Sequence, residues 1–226
     1  MGDRPILFSA EMVRAILDGR KTQTRRVMKV QPWPDALVTV EHYHETVIDR
    51  HGDMQPGKEI FGAHWDDGEY GLRCPYGAPG DTLWVRESLY IWGRWRKDGL
   101  RKNGLPSWRF EEVGQRADPD PDLGLIGSAH VRHLLKFWLR PSIHMPRWAS
   151  RITLRITDVL VERLHEITED DALAEGVTPL DYAAHHVAAR CGARIAFEQL
   201  WNTINGPGAW EANPWVWVIS FEKVMP

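Results

Sequence analysis

The stretch from Arg151 to Arg163 constrains the fold more than any other part of the chain. Ile152, Leu154 and Ile156 alternate with polar residues, and Val159 and Val161 then take the opposite phase. Period-two alternation marks a strand with one buried face. A phase change inside such a strand, here near Asp158, marks a bulge or a sharp bend, because a one-residue slip turns every later side chain to the other face. The expectation is a curved sheet of the kind that closes into a small barrel. At 226 residues the chain can bury the core of one large domain, or of one domain with a sizeable insertion.

Helices and turns are signalled on either side of that strand. Pro5 to Phe8 reads as a short strand or lead-in, with Ser9 as helix N-cap. Met12, Val13, Ile16 and Leu17 form one helical face, and Gly19 fits the position just past the helix end. Alternation around Leu37 to Ile48 predicts a hairpin within residues 31–60. The turn-rich run Cys74 to Asp81 leads into a strand at Thr82 to Glu87. Residues 92–128, rich in Gly, Pro, Arg and Asp, read as a loop or small subdomain within an insertion spanning 91–145. Thr168 to Asp171 has the spacing of a capping box, opening a short helix that ends at Glu175 and Gly176. A second helix is predicted over much of Asp181 to Ile204, with Phe197, Leu200, Trp201 and Ile204 as its core face. Trp215 to Phe221 reads as a final, mostly buried strand.

Composition excludes several classes. Apolar content is 43% and no apolar run approaches the ~20 residues of a membrane span. The expectation is a soluble, cytoplasmic protein without a membrane partner. Two cysteines, Cys74 and Cys191, do not make a disulfide framework and are expected as thiols. No histidine or cysteine pair has zinc-site spacing, and no dinucleotide or Walker motif occurs, so neither metal nor cofactor is expected. A formal net charge of −3 argues against coating nucleic acid by bulk charge.

Charge is nonetheless uneven. Arg14, Arg20, Lys21, Arg25, Arg26 and Lys29 crowd one short stretch. Cationic density of this kind suits an anionic ligand, and it lowers the pKa of a neighbouring lysine. A lysine of lowered pKa can act as a base, and the Thr24 hydroxyl, three residues past Lys21, shares a side with it if the conformation is helical or a turn. A carboxylate at Glu175 would face the negative end of its helix, which suits pairing with Lys21 or handling a proton, the alternative being an exposed surface glutamate. Glu87 is a second candidate carboxylate, alternatively a strand-end ion pair. The candidate substrate contacts are Arg20, Arg25, Arg26, Glu87, Trp84 and Trp148. Trp92, Trp95, Trp108 and Trp148 are flanked by Arg or Lys, an interleaving that suits base stacking beside phosphates and equally suits ordinary Arg–Trp packing.

The ordered set Gly19-Arg20-Lys21-Thr22-Gln23-Thr24-Arg25-Arg26, Pro79-Gly80-Asp81 before Arg86-Glu87, and Ile167-Thr168-Glu169-Asp170-Asp171-Ala172 before Glu175-Gly176 resembles the ASCH domain family of the PUA-like superfamily. Gly19, Lys21 and Arg26 match the family signature, and Thr24 stands at its acidic position. That threonine resembles the small bacterial N4-acetylcytidine amidohydrolases, and the overall look is similar to ASCH proteins of phages and prophages. The resemblance covers residues 5–30, 74–90 and 150–222. Residues 31–73 and 91–145 have no counterpart in the compact enzymes. It implies an α+β fold: a PUA-like small mixed β-barrel with flanking helices and an insertion, in a single domain over 1–226. It further implies a catalytic set of Lys21, Thr24 and Glu175, acting on an acylated base in a modified nucleoside or single-stranded nucleic acid. The alternatives are a non-catalytic reader of RNA or modified nucleic acid, and a ribonuclease.

Overall fold

A computed structural model describes residues 2–66, 68, 70–117, 135–179 and 192–224, with backbone alone over 114–117. The 118–134 part of the expected insertion and the 181–191 part of the expected helix, including His185, His186 and Cys191, lie outside the described residues. The architecture is mixed α+β, with most of the regular structure in strands. In chain order the elements are β1 (Asp3–Leu7), α1 (Ala10–Leu17), β2 (Gln23–Val27), β3 (Thr39–Ile48), β4 (Met54–Trp65), β5 (Tyr70–Arg73) and β6 (Thr82–Arg86). They continue as β7 (Leu89–Leu100), β8 (Pro106–Ala117), β9 (Lys136–Arg140), β10 (Thr153–Arg163), α2 (Glu169–Ala174), α3 (Gly192–Asn205) and β11 (Trp215–Lys223). No helix among the described residues is long and apolar enough to cross a membrane.

The strands form three sheets: five strands in the order β1-β6-β10-β11-β2, and two triplets, β3-β4-β5 and β8-β7-β9. The five-stranded sheet is an open row with β1 and β2 at its ends among the described residues. The chain divides into two compact units, Met1–Arg4, Glu11–Leu83 and Ile152–Pro226 in one, Pro5–Ala10 and Trp84–Arg151 in the other.

In the first unit, β10 pairs antiparallel with β11, and the register shifts between Ile156 and Asp158. This bulge is the physical form of the phase change read from the sequence. Strand β11 is buried from Trp215 through Ile219 and again at Phe221. It carries apolar side chains on both faces because both faces are covered. Val216 and Val218 pack with Leu164, Ile167, Ala172, Ala193, Phe197, Trp201 and Trp210, so α2 and α3 share one core with the sheet. The expected hairpin is present as β3 against β4, from Thr39 opposite His64 to Ile48 opposite Met54. Asp49 closes its turn, its carboxylate accepting from the N–H groups of His51 and Asp53.

Of the two readings of residues 92–128, loop or small subdomain, the second unit shows the subdomain as far as Ala117. Strands β7 and β8 form a long hairpin with Trp95 opposite Phe110, and β9 pairs along the other edge of β7. The Gly-rich, Arg-rich composition concealed this because the pairing rests on aromatic contacts. Trp95 meets Phe110 at 5.3 Å between centroids, and Trp92 meets Phe137 at 5.1 Å. The glycine within β7 also fits a strand: a Cβ on Gly93 would lie 2.5 Å from the carbonyl oxygen of Glu111. Leu89, Ile91, Met145 and Ala149 make this unit's small core, with Phe110 against it.

Candidate functional site

The site begins at the end of α1. Gly19 has a φ of 76°, the left-handed conformation that glycine adopts without penalty. Its N–H donates to Ile16 O at 3.1 Å and the N–H of Arg20 to Ala15 O at 2.9 Å, the paired bonds of a Schellman motif. Lys21 N–H also donates to Ala15 O, at 3.0 Å, so the chain folds back over the helix end and Lys21 turns inward. Strand β2 starts only at Gln23. The change from turn to strand removes the alternation that would otherwise set Lys21 and Thr24 on opposite faces.

The segment after β10 meets this corner. Thr168 and Asp171 form the expected capping box, with Thr168 Oγ1 donating to Asp171 Oδ2 at 2.7 Å and accepting from Asp171 N–H at 3.1 Å. Helix α2 therefore starts at a fixed residue and ends at Glu175, its C-cap. Thr22 N–H donates to Ala174 O at 2.8 Å, which joins the two motifs through the backbone. Gly176 has a φ of 84°, and a Cβ there would lie 2.8 Å from the Cβ atoms of both Ala15 and Lys21. The glycine is required both for its conformation and for the close approach of α2 to α1.

Lys21 and Glu175 meet in the interior. Lys21 Nζ donates to Glu175 Oε2 at 2.6 Å, to Glu175 O at 2.8 Å and to Gln23 O at 2.8 Å. Three donors thus find three acceptors, and one of them is a carbonyl at the negative end of α2. The second carboxylate oxygen of Glu175 accepts from Arg25 N–H at 2.5 Å. Strand β2 is an edge of its sheet, and Glu175 satisfies an outward N–H of that edge. Burial pushes the Lys21 amine below its ordinary value of 10.5. Glu175 opposes that shift, and Arg26 and Arg25 reinforce it.

Arg25 is itself buried. Its guanidinium donates to Glu162 Oε1 from Nε at 3.0 Å and from Nη2 at 2.7 Å, and to Gln23 Oε1 at 2.5 Å, with Asp171 at 3.4 Å. Burial raises the Glu162 carboxyl, Arg25 pulls it back, and Asp171 and Glu166 push it up again. The cationic density of the sequence is therefore met by carboxylates from β10 and α2, more than a hundred residues away along the chain.

Beside this cluster lies a pocket of about 140 Å³. Thr24, Arg25, Arg26 and Glu175 line it on the polar side, and Tyr76 joins them. Opposite are Phe197, Leu200, Trp201 and Ile204 of α3. The helical face expected as core thus has a second role, with Phe197 and Trp201 buried and Ile204 53% exposed. Tyr76 comes from the turn between β5 and β6, which Asp81 braces. Asp81 Oδ1 accepts from Gly2 N–H at 2.5 Å, and Oδ2 from Arg4 Nη1 at 2.7 Å and Ala78 N–H at 3.3 Å. Burial raises the Tyr76 phenol, with Arg26 partly offsetting it. Sequence reasoning singled out this turn without selecting Tyr76, although Cys-Pro-Tyr-Gly ahead of Pro-Gly-Asp was the available signal. Glu162 belongs to no motif, and the motifs that hold Asp171 and Gln23 gave them no role at the site, so all three were missed.

The remaining candidates take other positions. Arg20 is half exposed, donating to Gly176 O at 3.0 Å and Asp18 Oδ2 at 3.1 Å. Glu87, Trp84 and Trp148 belong to the second unit. There Glu87 is buried in a two-point ion pair with Arg151, at 3.0 and 3.1 Å, the strand-end arrangement. Trp84 lies under the guanidinium carbons of Arg86 at 5.4 Å and Arg147 at 5.8 Å, and Trp148 is 53% exposed. Cys74 is a buried free thiol. Among the described residues no group of three or more His, Cys, Asp or Glu side chains is arranged to hold a metal ion. No family model, no curated protein and no solved structure matches this chain.

Proposed function

We propose that the pocket binds an uncharged heterocyclic base and that Thr24, Lys21 and Glu175 hydrolyse an acyl-amide on its exocyclic nitrogen. The observation that carries this reading is the buried 2.6 Å pair of Lys21 and Glu175 beside a pocket that both Thr24 and Glu175 line. Phe197 and Trp201, their rings tilted by 44°, line the pocket with hydroxyl, carboxylate and arginine, a mixture that suits a heterocycle with polar edges. The balanced charge of the cluster favours a neutral base over a free phosphate.

The chemistry follows from the pair. Burial lowers the Lys21 amine below its ordinary value, and its deprotonated form, held in place by Glu175, is the base of the reaction. That amine takes the Thr24 hydroxyl proton as the oxygen attacks the amide carbon. Lys21 returns the proton to the departing exocyclic nitrogen, and the C–N bond breaks. Water then attacks the threonyl ester with Lys21 again as base, releasing a carboxylic acid and restoring the hydroxyl. In this reading the chain is an ASCH-type protein acting in the cytoplasm, and its five-stranded sheet with the bulged β10 is the framework of a PUA-like barrel.

The test is release of free base or nucleoside from N4-acylated cytidines by the purified protein. Wild type is expected to be active, Thr24→Ser to retain part of the rate, and Thr24→Val to lose at least about 100-fold. Both variants should melt within a few degrees of wild type. An inactive wild type across a broad panel of acylated nucleosides, or an active Thr24→Val, overturns the proposal. In the first case, base binding without turnover would leave a reader of modified nucleic acid.

A further inference from the structure

The β7–β8 hairpin of the second unit carries a different surface. A hollow of about 490 Å³ there is lined by Arg94, Trp95, Arg96, Lys97 and Trp108. Cations and indoles line it, with no acid among them. The register sets Lys97 directly opposite Trp108 and Arg96 directly opposite Arg109. Opposed residues of an antiparallel pair share a face, so two guanidinium groups sit side by side, which weakens the hairpin. Their neutralisation is partial. Glu111 serves both Arg94 and Arg96, at 2.6 Å each, while Asp98 reaches Arg109 only at 3.7 Å. Arg94, Arg96 and Arg109 thus meet two carboxylates on one face, and Lys97 stands on the other face beside Trp108, on a protein whose net charge is −3. A local excess of cations at a cost in strand pairing is the mark of an anionic ligand.

The aromatic part of the surface is braced from within. Trp95 packs edge-on against Phe110 at 5.3 Å and Trp138 at 6.4 Å, and the Arg140 guanidinium lies 5.0 Å from its ring. Trp108 is half-buried, next to the exposed Lys97. Trp108 and Lys97 share one face with Trp95, so the indole offers a base a face to stack on and the lysine gives a flanking phosphate a countercharge. A duplex keeps its base faces stacked inside and has no use for the indole. An acidic peptide has the charge and lacks the ring. We propose that this hairpin face docks single-stranded nucleic acid, with Trp108 stacking a base and Lys97, opposite it on the same face, holding an adjacent phosphate. The proposal stands on observations separate from the pocket of the first unit, so a protein inactive on free nucleosides leaves it intact.

Fluorescence anisotropy of labelled short oligo-dT and oligo-U with the full chain tests it, the two oligomers separating DNA from RNA preference. Binding should weaken as salt rises. Trp108→Ala should weaken it about 10-fold with the salt slope unchanged. Lys97→Glu should weaken it and reduce the slope by about one. Arg155→Ala, which removes an exposed cation paired with Glu222 in the first unit, should bind as wild type. Unchanged thermal midpoints exclude misfolding as the cause. Equal binding by wild type, Trp108→Ala and Lys97→Glu overturns the proposal. So does displacement by poly-glutamate as effective as by unlabelled oligo-dT, which would assign the face to an acidic protein partner.

Discussion

Lys21 places an ammonium group where no water reaches it, and its three hydrogen bonds make that tolerable. Removing only its charge leaves Glu175 buried and unbalanced, which costs more than the pair itself is worth. Lys21→Met is therefore expected to lose about 3 kcal/mol of stability in urea titration. The double variant Lys21→Met/Glu175→Gln should recover part of that loss, because no charge is then left stranded. Additive losses in the double variant would mean the two side chains act independently. The consequence for enzymology is that inactivity of a Lys21 variant reports folding as well as chemistry, and Thr24 is the cleaner probe. Tyr76 belongs to the same scale. Its phenol is held protonated by burial, so it offers a hydrogen bond to whatever the pocket holds.

At the scale of elements, two short motifs far apart in sequence lock together. The Schellman end of α1 and the C-cap of α2 approach so closely that Gly176 has no room for a Cβ. Gly176→Ala meets both a disfavoured backbone conformation and contacts of 2.8 Å on Ala15 and Lys21. A loss of about 2–4 kcal/mol is expected, read from the urea midpoint. Thr168→Ala, which removes the N-cap at the other end of α2, should cost only about 1 kcal/mol. If the two losses were equal, the close approach would contribute nothing beyond helix capping. The bulge in β10 and the capping box were both legible in the sequence, because each is decided by neighbours within a few residues. The β7–β8 hairpin was not. Its strands are held by cross-strand aromatic pairs, and composition does not say which ring faces which.

For the molecule as a whole, the acid limb of stability rests on carboxylates held below their ordinary values. Burial alone would raise Asp81, yet its bonds from Gly2, Arg4 and Ala78 outweigh burial and lower it below 3.8. Burial likewise opposes the lowering of Asp171, where the Thr168 bonds dominate, with Arg25 and Gln23 assisting. A carboxyl lowered in the folded state adds stability that is fully present above its unfolded pKa. That stability is lost as pH falls through the folded value. Glu162 runs the other way: raised in the fold, it subtracts stability as pH rises past 4.5. The thermal midpoint should therefore fall steeply below about pH 4. Asp81→Asn should start from a lower midpoint at neutral pH and lose less on acidification. An unchanged acid slope in that variant would remove Asp81 from the account.

Local sequence determined the helix ends, the bulge, the buried last strand and the choice of Lys21, Thr24 and Glu175 as candidates. Each of these depends on residues close along the chain, or on a motif order that survives without coordinates. Only the tertiary structure decided what the cations are for. Arg25 looked like a ligand contact among its neighbours in sequence. Folding brings Glu162, Asp171 and Glu175 onto it from β10 and α2, so it braces the wall of the pocket that it also lines. The face of α3 that reads as core by its spacing lines a pocket together with Thr24 and Tyr76, which come from two other segments. Coulomb energy and packing depend on distance in space, and the distances that matter here join segments more than a hundred residues apart.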